Sequence, residues 1–365
     1  MTENLPLLLQ VFNKQKLIEQ LTESEWDLIV RQARKAMVLA RLHGVLKKQQ
    51  LLSQIPKVVF KHLESATVHA EKQLNDLFWE VRHIAQVSEQ LDFPVLLLKG
   101  AAYGVKGYIA SEGRIFSDID LLVPKKRISE AEKQLMLKGW ASGKKDAYDQ
   151  RYYRQWMHEI PPLRHMFRGS VIDLHHNILP PTTKACPNAE RLLESAESIE
   201  GFKNLKTLSQ LDLIIHSAVH LFYDGELDHG CRDLLDLDAL MREFLLENNV
   251  VESKALSSRA KELGLQRAVF YATRYTSRIL KTPVIGIGGA NDVGKPGKIT
   301  LFVMDFLFVR ALMPDHPSCD DRWTGLARWL LYIRSHWLRM PMYLLVPHLL
   351  RKSWMRLKGE HGIDD

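Results

Sequence analysis

The chain has 365 residues, 46% of them hydrophobic and 25% charged, with 50 Lys or Arg against 43 Asp or Glu. That length exceeds what one hydrophobic core usually serves, and the composition excludes a disordered or fibrous chain, so two or three structural units are expected. The net charge of +7 favours anionic partners such as nucleotides, nucleic acid or lipid head groups. The three cysteines (Cys186, Cys231 and Cys319) are far apart and odd in number, which argues against a disulfide framework. The N-terminal stretch has no basic n-region or small-residue cleavage site, and no apolar run reaches the ~18 residues of a spanning helix. A cytoplasmic location is expected.

Residues 1–92 are expected to form a helical region. "ESEWDLIVRQARKAMVLARLHGVLKKQQ" and "FKHLESATVHAEKQLNDLFWEVRHIAQVSEQL" place apolar residues three and four apart, with charges on the other faces. From Pro94 the texture changes. "PVLLLKG" is a continuous apolar run closed by glycine, as in a central strand feeding a turn. "AAYGVKGYI" suits a short helix, and "SDIDLLV" the next strand. "ISEAEKQLMLKGW" reads as a helix opened by a Ser129–Glu132 capping box and closed at Gly139. "LRHMFRGSVIDLHH" reads as a hairpin turning at Arg168-Gly169. Residues 93–180 are therefore expected to be a small mixed α/β core. After Pro180-Pro181 the chain turns helical again, and residues 181–365 form the third region, with helices over "LSQLDLIIHSAVHLFYD", "RDLLDLDALMREFLLEN" and residues 254–280.

The strand "SDIDLLV" carries a defect, because aspartate is disfavoured in strands and costly to bury. Alternation puts Asp118, Asp120 and Leu122 on one face. Two carboxylates on one face either terminate an edge strand in water or converge on divalent cations, which take oxygen ligands. Asp173, in "SVIDLHH", has the same alternation, with His175 on its side. Three acids in one place repel unless a cation offsets them.

"LLLKGAAYGVKGY", "RIFSDIDLLV" and "VIDLHH" together resemble the nucleotidyltransferase fold of the DNA polymerase β superfamily. The likeness is to a bacterial family of poorly characterised nucleotidyltransferases, and more distantly to abortive-infection toxins. It covers residues 95–176. The resemblance implies that Asp118 and Asp120 hold two Mg²⁺ ions on an NTP, and that Asp173 shares one metal and helps activate an acceptor hydroxyl. Gly100 and Ala101 would present backbone N–H groups to the phosphates. The turn departs from the family's usual Gly-Ser or Gly-Gly, since Ala101 keeps the N–H but lacks a hydroxyl. The implied chemistry is attack of an acceptor hydroxyl on the α-phosphorus with release of pyrophosphate. The acceptor is open between protein, tRNA, sugar and small molecule. Lys99 and Arg114 are candidates to neutralise phosphates, Ser117 either joins them or bonds within its turn, and His175 is placed to contact nucleotide or acceptor. The rival function is a non-catalytic nucleotide- or RNA-binding module with a degenerate turn.

Asp212, His216 and His220 fall at i, i+4 and i+8 on one helix and either line the site or form an inter-helix polar stripe. Zinc binding there lacks the glutamate of H-E-x-x-H, because Ser217 follows His216. Asp233 and Asp236 suit helix packing. "GANDVGKP" (289–296) imitates a phosphate loop but has Pro296 where Mg²⁺ would need Ser or Thr. Residues 322–358 hold eight Arg or Lys, no Asp or Glu, and four of the eight tryptophans. Leu326, Leu330, Ile333, Trp337 and Met340 make an apolar stripe there, with Arg328, Ser335 and Arg339 on another face. Such a segment either lies on anionic membrane or nucleic acid, or packs on the preceding helices with a solvated basic rim.

Overall fold

The structure is a computed structural model and describes residues 5–14, 16–143, 147–223, 227–245, 249–283 and 294–340. Seven described strands form one mixed sheet: β1 (Val95–Leu97), β2 (Ile119–Leu122), β3 (Trp140–Ser142), β4 (Leu163–His165), β5 (Val171–His175), β6 (Glu197–Ser198) and β7 (Leu205–Thr207). Their order is β3-β4-β5-β2-β1-β7-β6. β1 and β2 run antiparallel, with Leu96 opposite Leu122, whereas β2 pairs parallel with β5 and β1 parallel with β7. Helices precede and follow this sheet, so the fold class is the expected α/β (α+β) one.

Every residue of β1 and β2 is buried, which is why both read as unbroken apolar runs. Helix Lys57–Ser88 packs against helices Leu39–Lys48, Lys99–Lys106 and Ile128–Leu137. Helices Gln210–Tyr223, Gly230–Leu245 and Gln266–Leu280 pack on one another, and the first of them also touches Lys99–Lys106. The buried apolar core runs without interruption from Leu8 through the sheet to Leu331.

The hairpin turns where the sequence places it, with Gly169 at φ 74° between β4 and β5. Gly139 (φ 97°) follows helix Ile128–Leu137 as expected. The start of that helix differs. Arg127 is the N-cap and no side chain caps it, because Glu132 instead makes a two-bonded pair with Arg154 (2.9 and 2.7 Å). The segment expected as one helix to residue 280 is two, Asn249–Glu262 and Gln266–Leu280, divided at Gly264 (φ 73°). Residues 289–293 of the phosphate-loop imitation lie outside the described residues, as do 341–358 of the basic end.

The basic end's described helix, Thr324–Arg339, packs by a different face from the expected stripe. Its buried residues are Thr324, Ala327, Leu331 and Ser335. Leu326, Ile333 and Trp337 stay exposed, while Met340 is buried. The buried face is offset by about one residue from the apolar stripe. Arg334 helps hold it there, donating to the Phe222 carbonyl (2.8 Å) and lying over the Tyr271 and Phe308 rings. Among the described residues, no helix is long and apolar enough to cross a membrane.

Candidate functional site

The pairing of β2 with β5 builds the site. In a parallel pair, residues in register face the same way, and here Asp120 sits beside Asp173 and Leu122 beside His175. Asp118 precedes β2 on the same alternation. Oxygen atoms of Asp118, Asp120 and Asp173 all lie within 4.8 Å of one another. Asp118 is the most exposed of the three, Asp173 half-buried and Asp120 buried. The Ser117 hydroxyl donates to Asp118 Oδ1 (2.8 Å), so Ser117 orients that carboxylate.

An ammonium and an imidazole address Asp120. Lys99 Nζ is 3.2 Å and His175 Nε2 2.9 Å from its Oδ1. Burial pushes the Asp120 carboxyl up, but Lys99 and the His175 bond outweigh it and hold it well below the usual carboxylate range. Burial likewise lowers Lys99 and His175, and their acidic neighbours reverse this. Asp120, Asp118 and Glu159 hold the ammonium raised, and Asp120 and Glu159 hold the imidazole raised. Asp120 is thus ionised and only accepts, and His175 carries a proton on Nε2.

Asp173 has the opposite environment. Burial, then Asp120 and Glu159, push its carboxyl up to about 7. Its Oδ1 is buried with no hydrogen-bond partner. A buried oxygen without a partner, close to two further carboxylates, is the donor set that a hard divalent cation takes. The residues present therefore fit a Mg²⁺-type ion.

The turn between β1 and helix Lys99–Lys106 brings the other candidates in. Lys99 has φ 42°, a left-handed conformation that costs a residue with a side chain of order 1–3 kcal/mol. This corner aims its ammonium at Asp120. Gly100 and Ala101 lie in the helix's first turn, where amides have no acceptor within the helix and favour anions. Gly100 is required by its neighbour: a Cβ there would lie 2.4 Å from Arg114 Nη1.

Arg114 does not join the carboxylate cluster. Its Nε donates to Asp236 Oδ2 (2.9 Å), and the other oxygen of Asp236 takes the guanidinium of Arg41. The trio has net charge +1 and sits against Gly100. Gly113 (φ 63°) permits this arrangement, because a Cβ there would meet Arg41 N at 2.4 Å.

His216 is buried, with Nδ1 unpartnered. Burial, then Lys99, hold it well below its ordinary value, and Asp120 acts on it in the other direction. The His216 face of helix Gln210–Tyr223 therefore borders the site, while Asp212 is tied to Arg259 (2.8 Å) away from it. His220 Nδ1 lies 3.7 Å from Asp233.

The sequence reading passed over His158 and Glu159, in the loop before β4, and Trp79 and Glu80. The last two help line a cleft of ≈ 520 Å³ that includes Ser117, Asp118 and the hairpin residues Arg168–Val171. Two other cavities, of ≈ 660 and ≈ 530 Å³, are lined by other residues and do not contain the carboxylates. No local signal marks Trp79 and Glu80, which reach the site through the packing of a long helix.

A sheet that places three carboxylates beside a glycine turn and a lysine defines an α/β protein with a candidate site for metal and phosphate. The family model described as "Uncharacterised nucleotidyltransferase" matches residues 22–281, more than half of the chain, and the chain belongs to that family. Comparison with curated proteins gave no match.

Proposed function

We propose that the protein is a Mg²⁺-dependent enzyme that moves a nucleoside monophosphate from an NTP to an acceptor hydroxyl, releasing pyrophosphate. The observation that carries this is the convergence of Asp118, Asp120 and Asp173 within 4.8 Å, with one buried oxygen of Asp173 unpartnered. Asp118, Asp120 and Asp173 would hold two Mg²⁺ ions, which would supply charge neutralisation for the attacking and leaving oxygens. Lys99 and the first-turn amides of Gly100 and Ala101 offset phosphate charge, and Arg114, with Arg41, adds the +1 field behind Gly100. Asp173, whose unpartnered oxygen stands beside the other two carboxylates, is placed to take the proton of an acceptor hydroxyl. Ser117 and His175 fix Asp118 and Asp120 from behind.

The test is incubation with each labelled NTP and Mg²⁺, comparing wild type with Asp118→Asn and Asp120→Asn. Labelled product that survives both substitutions sinks the proposal. The non-catalytic module draws on Ala101, which offers an amide but no hydroxyl. Calorimetry separates the two, since NTP binding with no turnover favours the module.

Three free thiols support a reducing, cytoplasmic setting. For the basic end, an anionic membrane surface is the proposed partner. Its support is the exposed Trp, Ile and Phe side chains of helices Thr324–Arg339 and Lys298–Ala311, with Lys298 and Arg322 exposed at the edges.

A further inference from the structure

We propose that His158, Glu159 and His175 form a second metal centre, selective for a first-row transition ion such as Zn²⁺, directly behind Asp120. The backbone sets the arrangement. Glu159 and His175 are opposite one another in an antiparallel bridge. The bonds flanking them, His176 N to His158 O (2.8 Å) and Ile160 N to Leu174 O (3.0 Å), make them a non-hydrogen-bonded pair. Side chains of such a pair approach most closely and share a face. The neighbouring His158 brings its ring to 5.2 Å from that of His175, centroid to centroid.

The side chains then leave a gap of the right kind. One ligand atom from each of His158, Glu159 and His175 lies within 4.8 Å of the other two. His175 is only 3% exposed, and its Nδ1 is buried without a hydrogen-bond partner, as is Nδ1 of His158. Two unpartnered imidazole nitrogens on rings 5.2 Å apart require an explanation. Glu159 Oε2 stands 3.3 Å from His175 Nδ1 and makes no hydrogen bond to it. Ligands ~2.0–2.1 Å from a tetrahedral ion stand about 3.3 Å apart, so the spacing that is poor for a hydrogen bond suits shared coordination.

The rest of His175 agrees. With Nδ1 on a metal, Nε2 must carry the proton, and Nε2 faces Asp120 Oδ1 at 2.9 Å. Metal-bound imidazoles generally donate their other N–H to a carboxylate in this way. Two nitrogens and one carboxylate favour a transition ion over Mg²⁺, whereas the three aspartates favour the reverse. The fourth position would go to water, and Glu159, whose side chain is 20% exposed, marks the way in. The nitrogen-containing centre thereby fixes Asp120 of the all-oxygen one.

The inference does not require the proposed activity, and its test reads metal rather than turnover. Full-length protein is stripped with chelator and titrated with Zn²⁺ or Co²⁺, following bound metal and the visible bands of Co²⁺. Wild type should take one ion at micromolar affinity or better, with bands of a four- or five-coordinate site. His158→Ala and Glu159→Gln should weaken that ion at least ~10-fold, whereas Asp118→Asn and Asp173→Asn leave it in place. If His158→Ala does not fold, the more conservative Glu159→Gln carries the same reading. Absence of a micromolar ion overturns the proposal, and so does a Co²⁺ spectrum that both ligand variants leave unchanged. Zinc bound without nucleotidyl transfer would refute only the proposed function, and transfer without zinc only this inference.

Discussion

At the residue scale the two carboxylates in an apolar strand are explained by what surrounds each. Asp120 has an ammonium and an imidazole N–H on one oxygen, Asp118 has a serine, and Asp173 has one buried oxygen without a hydrogen-bond partner. Asparagine at Asp118 keeps the shape but loses the charge, and should lower transfer by ~10³-fold with little change in melting temperature, whereas asparagine at buried Asp120 also leaves Lys99 without its partner and should lower both. Asp173 gives a pH signature. Its folded pKa of about 7 is above the ordinary carboxylate value, so the folded state holds an extra proton between about pH 4 and 7. The stability it contributes without metal is full below that window and lost as pH rises through it. Thermal melts of chelated protein should therefore fall from pH 5 to pH 8 more steeply in wild type than in Asp173→Asn. Added Mg²⁺, which competes with that proton, should stabilise wild type most at the upper end. The D-x-D pair and Asp173 were legible because alternation along a strand is a local rule. The Arg114–Asp236 bond was not, since 122 residues separate the partners. His158 and Glu159 were not either, because a loop has no period to read.

At the element scale, one carboxylate ties three segments together. Asp236 on helix Gly230–Leu245 pairs with Arg41 on helix Leu39–Lys48 and with Arg114 in the loop before β2. All three side chains are about nine-tenths buried, with exposures of 4, 9 and 11%. Removing the acid leaves two buried guanidinium groups without their partner, a loss of ~3–5 kcal/mol. Asp236→Ala should lower the urea midpoint accordingly, and it should also weaken nucleotide binding, because Arg114 lies against Gly100. Gly100→Ala tests the same contact from the other side. Its Cβ would displace a guanidinium held by Asp236 and the Ile115 carbonyl, at ~1–3 kcal/mol. A Gly100→Ala protein with unchanged stability and activity would show that the contact is dispensable. Strands β1, β2 and β5 and the helices around them followed from apolar runs and 3.6-residue periods. β3, β6 and β7 did not, being two or three residues long and held by partners distant in sequence. β7 joins the sheet after residue 200 because Val95, Leu96 and Leu97 offer it a buried edge.

For the whole molecule, the excess positive charge matters where it adjoins apolar surface. Helices Lys298–Ala311 and Thr324–Arg339 pack on each other, with Arg310 at the end of the first paired with Asp321 (2.8 Å) and Phe306 on Trp323 at the start of the second. Leu326, Trp329, Ile333 and Trp337 fall on one face of the second helix, and Ile299, Phe302 and Val303 are exposed on the first. Phe302 is 75% and Trp337 67% exposed, and this apolar face is what the proposed membrane contact rests on. Tryptophan beside Arg322, whose guanidinium lies over the Trp323 ring, suits the interface of an anionic bilayer, where the rings enter the head-group region and the cations meet phosphate. The hydrophobic part is indifferent to salt, and the electrostatic part decays over a Debye length of ~8–10 Å. Wild-type protein should therefore co-sediment with vesicles containing anionic phospholipid, less with neutral ones, and less again as salt is raised. Changing Trp329 and Trp337 together to alanine should weaken binding by ~10-fold or more, while leaving the melting temperature within a few degrees because neither ring is buried. Binding that survives the double substitution, or retention on single-stranded RNA but not on vesicles, would remove the membrane from the partners of this face.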